Sequence, residues 1–129
     1  MDAGDAIWNR ALGESSAKWE SGDRALAAAL RFHNAAMGGG VLDAVESLEP
    51  AELDAAAAAY EWLGLRDVVA LISEVRSQIA DGALEDDDRA DELEASSDDR
   101  YDASLPTDAD LEAAFRNRLV SDPGAFAKV

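Results

Sequence analysis

Apolar residues recur every three to four positions along most of the chain, which is the period of an amphipathic helix. The clearest stripe runs from Leu65 through Ile72 to Ile79. Clean alternation of apolar and polar residues never extends beyond four positions, so the pattern does not favour strands. Alanine, the strongest helix former, is abundant, while strand-forming residues are sparse. The pattern therefore predicts an all-α fold.

Glycine, proline and capping residues divide the stripes into separate helices. The predicted spans are Ala3–Glu20, Arg24–Met37, Val41–Leu48, Pro50–Leu63, Leu65–Ala80, Glu85–Ser96 and Asp108–Val120. The span Glu85–Ser96 carries few large apolar residues and is expected to fray at both ends. Short connections favour antiparallel helix pairs in a bundle or a short solenoid. We predict a single domain of six to seven helices over residues 1–129.

The apolar face of each predicted helix supplies the expected core. It comprises Leu26, Leu30, Val45, Leu53, Tyr60, Leu65, Val68, Val69, Ile72, Val75, Leu111, Phe115 and Leu119. His33 and Met37 share the inward face of Leu30, and Phe126 is expected to fold back onto the core. A histidine in such a stripe is expected to be hydrogen-bonded at the core edge. A general base or a pH switch is its functional alternative.

The tryptophans Trp8, Trp19 and Trp62 are expected to be core residues, with a binding groove as the alternative. Trp62 follows Tyr60 by two positions and therefore lies off the main stripe of its helix. It could pack against a second neighbour or across a homodimer interface.

Charge narrows the classes of function. The 129 residues include 28 acidic and 11 basic residues, which gives a net charge of −17. Such a chain repels nucleic acid and anionic membranes, so direct binding to either is not expected. There is no apolar run of about 18 residues and no signal-peptide pattern, so a cytoplasmic protein is expected. The absence of cysteine excludes disulfides and thiolate chemistry.

The negative charge is concentrated in residues 81–110, before the last predicted helix. This segment holds 13 acids and two arginines, a net charge of −11, whereas the other 99 residues carry −6. As a helix, the stretch from Glu85 to Asp99 would be about 22 Å long with one acid per about 2.5 Å, which approaches the charge density of B-DNA at about one per 1.7 Å of axis. The candidate partner-binding residues are Glu85, Asp86, Asp87, Asp88, Asp91, Glu92, Glu94, Asp98 and Asp99.

Three interpretations of these acids stay open. The first is an interaction module whose face occupies the DNA-binding groove of a basic protein. The second is a solvated or disordered acidic loop. The third is general acid enrichment, as in a salt-adapted proteome. Salt adaptation should spread acids over the whole surface, whereas residues 81–110 hold −11 of the −17 charges.

No constellation for catalysis, a cofactor or a metal is found. Asp86–Asp88 lacks the glycine that a calcium loop requires, and His33 has no second histidine or cysteine to complete a zinc site. Gly38–Gly40 lacks the lysine and spaced glycines of a phosphate-binding loop and is predicted to stop a helix. There is no nucleophile motif of the Gly-x-Ser-x-Gly type. We therefore predict no catalytic, cofactor-binding or metal-binding residues, and an enzyme is the least favoured interpretation.

The order of several motifs is distinctive. Arg31–Ala36, with the sequence RFHNAA, follows a glycine-containing turn and precedes a glycine-rich break. The short helix Val41–Leu48 and an alanine-rich helix come next. Nearer the C-terminus, Asp98–Tyr101 forms an acidic Asp-x-x-Tyr element. Within Leu119–Phe126, the last helix ends ahead of a proline and a phenylalanine.

Together these motifs resemble the acidic DNA-mimic-protein-like family of bacterial domains of unknown function, over about Ser21 to Phe126. The turn before the second helix departs from the family pattern, because Gly22 stands alone where members usually carry two glycines and an aromatic residue. The resemblance implies an all-α fold. It also implies binding to a basic, DNA-binding protein such as a transcription factor, in place of DNA.

Overall fold

The computed structural model describes residues 2–129, which form seven α-helices and no strand. The helices, named α1 to α7 in chain order, span Ala3–Ala11, Ser21–Gly39, Val41–Ser47, Pro50–Trp62, Arg66–Ala80, Asp87–Ser104 and Asp108–Ser121. Short 3₁₀ turns follow α5 and α7, at Ala83–Glu85 and Pro123–Ala125. The predicted all-α fold is therefore confirmed. Within residues 2–129, every helix is too short or too polar to span a lipid bilayer.

Capping side chains determine where several helices begin. Helix α2 starts with a capping box, in which the Asp23 carboxylate accepts a hydrogen bond from the backbone N–H of Glu20 at 2.9 Å. Helix α7 starts in the same way with Thr107 and Asp110. Gly40 separates α2 from α3 with a φ of +95°, a left-handed conformation that favours glycine.

Helix α2 lies at the centre of the packing and contacts α1, α3 and α4. Helix α4 packs against α5, and α6 packs against α3 and α5. Ten of the 13 predicted core residues are buried. The other three, Leu65, Val69 and Leu119, are partly buried against the same core. The core prediction is therefore confirmed.

The first predicted helix is wrong in its C-terminal half, because α1 ends at Ala11 rather than at Glu20. Gly13 weakens a helix at this point. The segment that follows turns back, so that Trp19 is buried and Glu20 caps α2. As a result α2 begins at Ser21, three residues before the predicted start.

The predicted inward position of Met37 is also wrong. Its side chain is 53% exposed, because the last turn of α2, Met37–Gly39, lies at the surface. Leu26, Leu30 and His33 belong to the same predicted stripe and are buried, as expected. The stripe is therefore correct up to the last turn of the helix.

Helix α6 is longer than predicted and spans Asp87–Ser104 instead of Glu85–Ser96. Its start is fixed by Asp86, whose side chain accepts hydrogen bonds from two backbone N–H groups of the first turn. Its C-terminal part is held by Tyr101 and Leu105, which are both buried. The predicted end was too early because this part of the helix has few other large apolar residues.

The C-terminal segment packs against the first two helices through the buried carboxylate of Asp23. This carboxylate forms an ion pair with Arg10 and accepts a hydrogen bond from the Ala127 N–H at 2.8 Å. Arg10 also donates to the Ala127 carbonyl oxygen at 3.0 Å. Phe126 is buried, as predicted, and its ring centroid lies 5.7 Å from that of Trp62.

Candidate functional site

All eight acidic residues of α6 lie on one side of the helix. At about 100° per residue they fall within an arc of about 160°, and the only other α6 residue in that arc is Ala95. This set, called the acidic arc below, comprises Asp87, Asp88, Asp91, Glu92, Glu94, Asp98, Asp99 and Asp102. Arg89 and Arg100, the two arginines of α6, lie on the opposite flank. The helix therefore separates its negative charge from its positive charge.

The acidic arc forms two parallel rows along the helix axis. One row contains Asp87, Asp91, Glu94, Asp98 and Asp102, and the other contains Asp88, Glu92 and Asp99. The rise from Asp87 to Asp102 is about 22 Å, so the negative charges repeat at roughly one per 3 Å. One strand of B-DNA carries a phosphate every 3.4 Å or so, about the same interval. The linear charge density of α6 is therefore close to that of one DNA strand.

The acidic arc is not paired with cations of the protein itself. The ion pairs within residues 2–129 use acids outside the arc, as in the contacts of Arg31 with Glu52 at 2.6 Å and of Arg76 with Asp54 at 2.7 Å. Arg89 of α6 donates to the side-chain oxygen of a glutamine in α5 rather than to a carboxylate. The arc therefore carries its negative charge without a protein counter-charge, and seven of its eight acids are exposed to solvent.

The structure exposes eight of the nine predicted partner-binding residues. The exposed residues are Glu85, Asp86, Asp87, Asp88, Asp91, Glu92, Glu94 and Asp99. Glu85 and Asp86 precede α6, and Asp86 is the residue that caps it. Asp98 is half-buried, and its Oδ1 accepts a hydrogen bond from the Val41 N–H at 2.9 Å, at the start of α3. Asp86 and Asp98 therefore have structural roles that the other seven lack.

Asp102 belongs to the acidic arc but is absent from the predicted set. The prediction ended this helix at Ser96, which would have left Asp102 in a loop. In the observed helix, Asp102 follows Asp98 by one turn and is exposed. The spacing of four between Tyr101 and Leu105 was the signal in the sequence, because it continues the inward face of the helix.

The inner face of α6 is held in part by polar contacts. Ser97 and Tyr101 are its buried residues. The Tyr101 hydroxyl lies 2.6 Å from Nδ1 of His33 in α2 and 3.1 Å from the hydroxyl of Tyr60 in α4. The ring of Tyr101 also packs edge-on against Phe32 at 6.0 Å. The expectation that His33 is hydrogen-bonded within the fold is confirmed.

The second ring nitrogen of His33 points to the start of α7. Its Nε2 lies 2.6 Å from Oδ1 of Asp108. Burial raises the pKa of Tyr101 to about 12 and raises the pKa of Tyr60 well above its usual 10.0. Both hydroxyls therefore keep their protons at neutral pH. Within residues 2–129, no three histidine, aspartate or glutamate side chains converge closely enough to hold a metal ion.

Comparison with known proteins identifies the family of this helical, acidic chain. The family model described as DMP19-like protein, where DMP19 stands for DNA mimic protein 19, matches residues 17–122. The matched range includes α2 to α7 in full. The comparisons with curated proteins and with solved structures gave no significant match. The resemblance inferred from the sequence motifs is thus confirmed over most of the chain, which belongs to the DMP19-like protein family.

Proposed function

We propose that this protein is a DNA mimic, a protein-interaction module that presents the acidic arc of α6 to the DNA-binding face of a basic partner. The observation that carries the proposal is the placement of all eight α6 acids on one side, unpaired by the protein's own cations. Membership of the DMP19-like family supports it. The proposed contact set keeps the nine predicted acids, from Glu85 to Asp99, and adds Asp102.

The partner suited to this surface is a protein whose basic residues ordinarily contact the phosphates of DNA. Such residues are spaced to contact phosphate charges every few ångströms along a DNA strand. The two rows of the acidic arc supply negative charges at a similar interval. Opposite charge patterns speed association, and salt weakens the effect. DNA and this protein would then compete for one face of the partner, and no catalysis is involved.

Charge distribution favours this proposal over general acid enrichment. Acids elsewhere on the surface are partly paired with arginines, as Asp2 and Asp5 are with Arg116 at 3.3 and 2.7 Å. The arc has no such pairs within residues 2–129. Unpaired like charges on one helix face repel one another and disfavour the folded state. Binding to a basic partner would offset this repulsion, which is a physical reason for the acids to be grouped there.

A homodimer through Trp62 stays a prediction. The structure gives this side chain neighbours within its own chain, because its ring packs against Phe126 and lies under the Arg118 guanidinium at 4.8 Å. These contacts account for the position of Trp62 without a second copy.

Capture from a native lysate of the source organism, followed by competition with double-stranded DNA, tests the proposal. The arc variant D91N/E92Q/D99N/D102N removes four exposed charges and leaves the structural acids Asp86 and Asp98 in place. The matched control E14Q/E46Q/E74Q/D122N removes four exposed charges outside α6.

Wild type and control are expected to capture the same DNA-binding protein at low salt and to lose it to added DNA. The arc variant is expected to capture much less of it. Equal capture by the arc variant, or a captured protein that DNA does not displace, would contradict the proposal.

A further inference from the structure

An apolar groove runs along the surface between α2 and α4. Two adjoining cavities of about 330 and 200 Å³ form it, and they share Ala28 of α2 and Ala55 of α4. The residues that define this groove, called the alanine groove below, are Ala25, Ala28, Ala51, Ala55, Ala58 and Trp62. Three of these alanines, all in α4, are exposed to solvent.

The alanine groove lies on the side of the protein opposite α6. His33 of α2 and Tyr60 of α4 both contact Tyr101 on the inner face of α6. At about 100° per residue, Ala28 lies about 140° around α2 from His33, and Ala55 lies about 140° around α4 from Tyr60. The groove and the acidic arc therefore face away from each other.

The charges beside the alanine groove are balanced, unlike those of the acidic arc. Each acid of α4 is paired with an arginine: Glu52 with Arg31 at 2.6 Å, Asp54 with Arg76 at 2.7 Å and Glu61 with Arg66 at 3.4 Å. Arg24 is the other exposed charge of α2, because the one acid of that helix, Asp23, is buried. These groups are four arginines against three acids, in a chain whose net charge is −17.

We propose that the alanine groove is a homodimer interface, in which the groove of one copy packs against the groove of a second copy. Two chains that each carry a charge of −17 repel one another, and the repulsion is least where the facing surfaces have no net negative charge. Burial of the apolar lining favours association. Small side chains on both helices allow the two copies to approach closely.

The charges along the two edges of the groove favour a second copy over an unrelated protein. The α2 edge carries Arg24 and Arg31, and the α4 edge carries Asp54 and Glu61. A two-fold axis along the groove places α2 of each copy over α4 of the other. The basic edge then meets an acidic edge twice, so a single surface supplies both halves of the charge pattern.

This arrangement centres the interface on Ala28 and Ala55 rather than on Trp62, which lies at one end of the groove. It leaves both acidic arcs on the outer sides of the dimer, where each is free to contact a separate protein. The inference goes beyond the proposed function, and its test needs no partner protein.

Sedimentation equilibrium of the intact chain over micromolar to millimolar concentrations tests the inference. We expect a species of twice the chain mass of 13.6 kDa. Raising the salt from about 0.1 M to about 1 M shortens the Debye length from about 10 Å to about 3 Å and screens the repulsion between copies. Dimerisation is therefore expected to tighten at least about threefold with salt, the opposite of the salt dependence expected for a basic partner.

Two single variants locate the interface. A55E adds a negative charge at the centre of the alanine groove, and A113E adds the same charge at an exposed position of α7. Glutamate is a good helix former, so both variants are expected to fold, and circular dichroism checks this. Because symmetry buries two added carboxylates in the dimer, A55E is expected to weaken dimerisation about a hundredfold. A113E is expected to dimerise like the wild type.

A wild-type chain that stays monomeric would overturn the inference and leave the groove to a different protein. A dimer that weakens as salt rises, or one that A55E forms as readily as the wild type, would also overturn it. The wild-type measurements decide the matter even if A55E fails to fold. They are independent of whether the acidic arc binds a partner.

Discussion

Nε2 of His33 lies 2.6 Å from Oδ1 of Asp108, which pairs a ring that is 1% exposed with a carboxylate at the surface. The same imidazole contacts Tyr101 on the inner face of α6. The outer face of that helix carries the acidic arc. The helix proposed to bind a partner is therefore attached to the rest of the protein in part through a buried imidazole of α2.

The two tyrosines are expected to resist ionisation while the protein is folded. Burial raises the pKa of Tyr101 to about 12, and the pKa of Tyr60 also lies well above 10.0. A raised pKa in the folded state contributes stability below the unfolded value of 10.0, and this contribution is lost as the pH rises from 10 towards 12. Ultraviolet absorbance of tyrosinate, followed together with circular dichroism, should show ionisation accompanying unfolding. Ionisation of either tyrosine near its usual pKa with the helices intact would contradict the buried network.

Asp98 and Asp99 are neighbours with the same charge but different structural roles. The Asp98 carboxylate accepts the Val41 N–H at 2.9 Å, whereas Asp99 is exposed. We expect D98A to lower the free energy of unfolding by about 1 kcal/mol, because it leaves the start of α3 without an acceptor. D99A is expected to change it by less than about 0.5 kcal/mol. Chemical denaturation of the two variants measures this difference, and equal effects would show that the Asp98 contact is not a stabilising one.

Ile72 is a buried residue of α5 in the stripe that most strongly predicted a helix. I72A is expected to cost about 2–5 kcal/mol, since it removes buried methyl and methylene groups and leaves a cavity. Chemical denaturation provides the measurement. A loss under about 1 kcal/mol would mean that α5 is not packed as described.

Helix α6 is expected to exchange its amide hydrogens faster than α5 at neutral pH. Only Ser97 and Tyr101 of α6 are buried, whereas Val68, Leu71, Ile72 and Val75 anchor α5. Fewer buried apolar groups give a lower local opening free energy. Hydrogen exchange with residue resolution tests this, and equal protection of the two helices would indicate anchoring of α6 beyond the contacts described.

The helical fold and most of the core were predictable because they depend on local periodicity and caps. The end of α6 was not, since the attachment of Tyr101 to His33 joins residues 68 positions apart. For the same reason the predicted set of acids omits Asp102, which lies beyond the predicted end of the helix. The turn after Ala11 was missed because burial of Trp19 outweighed the helical pattern around it.

The candidate acids themselves were predictable from charge density, but their different roles were not. Sequence alone does not distinguish Asp98 from Asp99, because the partner of Asp98 lies at the start of another helix. Sequence alone also does not show that the acidic arc lacks ion pairs, because ion pairing depends on where the arginines lie in the fold. The partition of acids into structural and exposed groups therefore required the tertiary structure.

The central claim is that the acidic arc binds a DNA-binding protein in place of DNA. Its most direct test is the association rate of the captured partner at low and high salt, measured for wild type, D91N/E92Q/D99N/D102N and the control E14Q/E46Q/E74Q/D122N. We expect wild type and control to associate rapidly at low salt and to slow together as salt rises. The arc variant is expected to associate about tenfold more slowly at low salt, with a flatter salt dependence. An arc variant that binds as fast and as tightly as the wild type would contradict the claim and leave the acidic arc as a solvated surface.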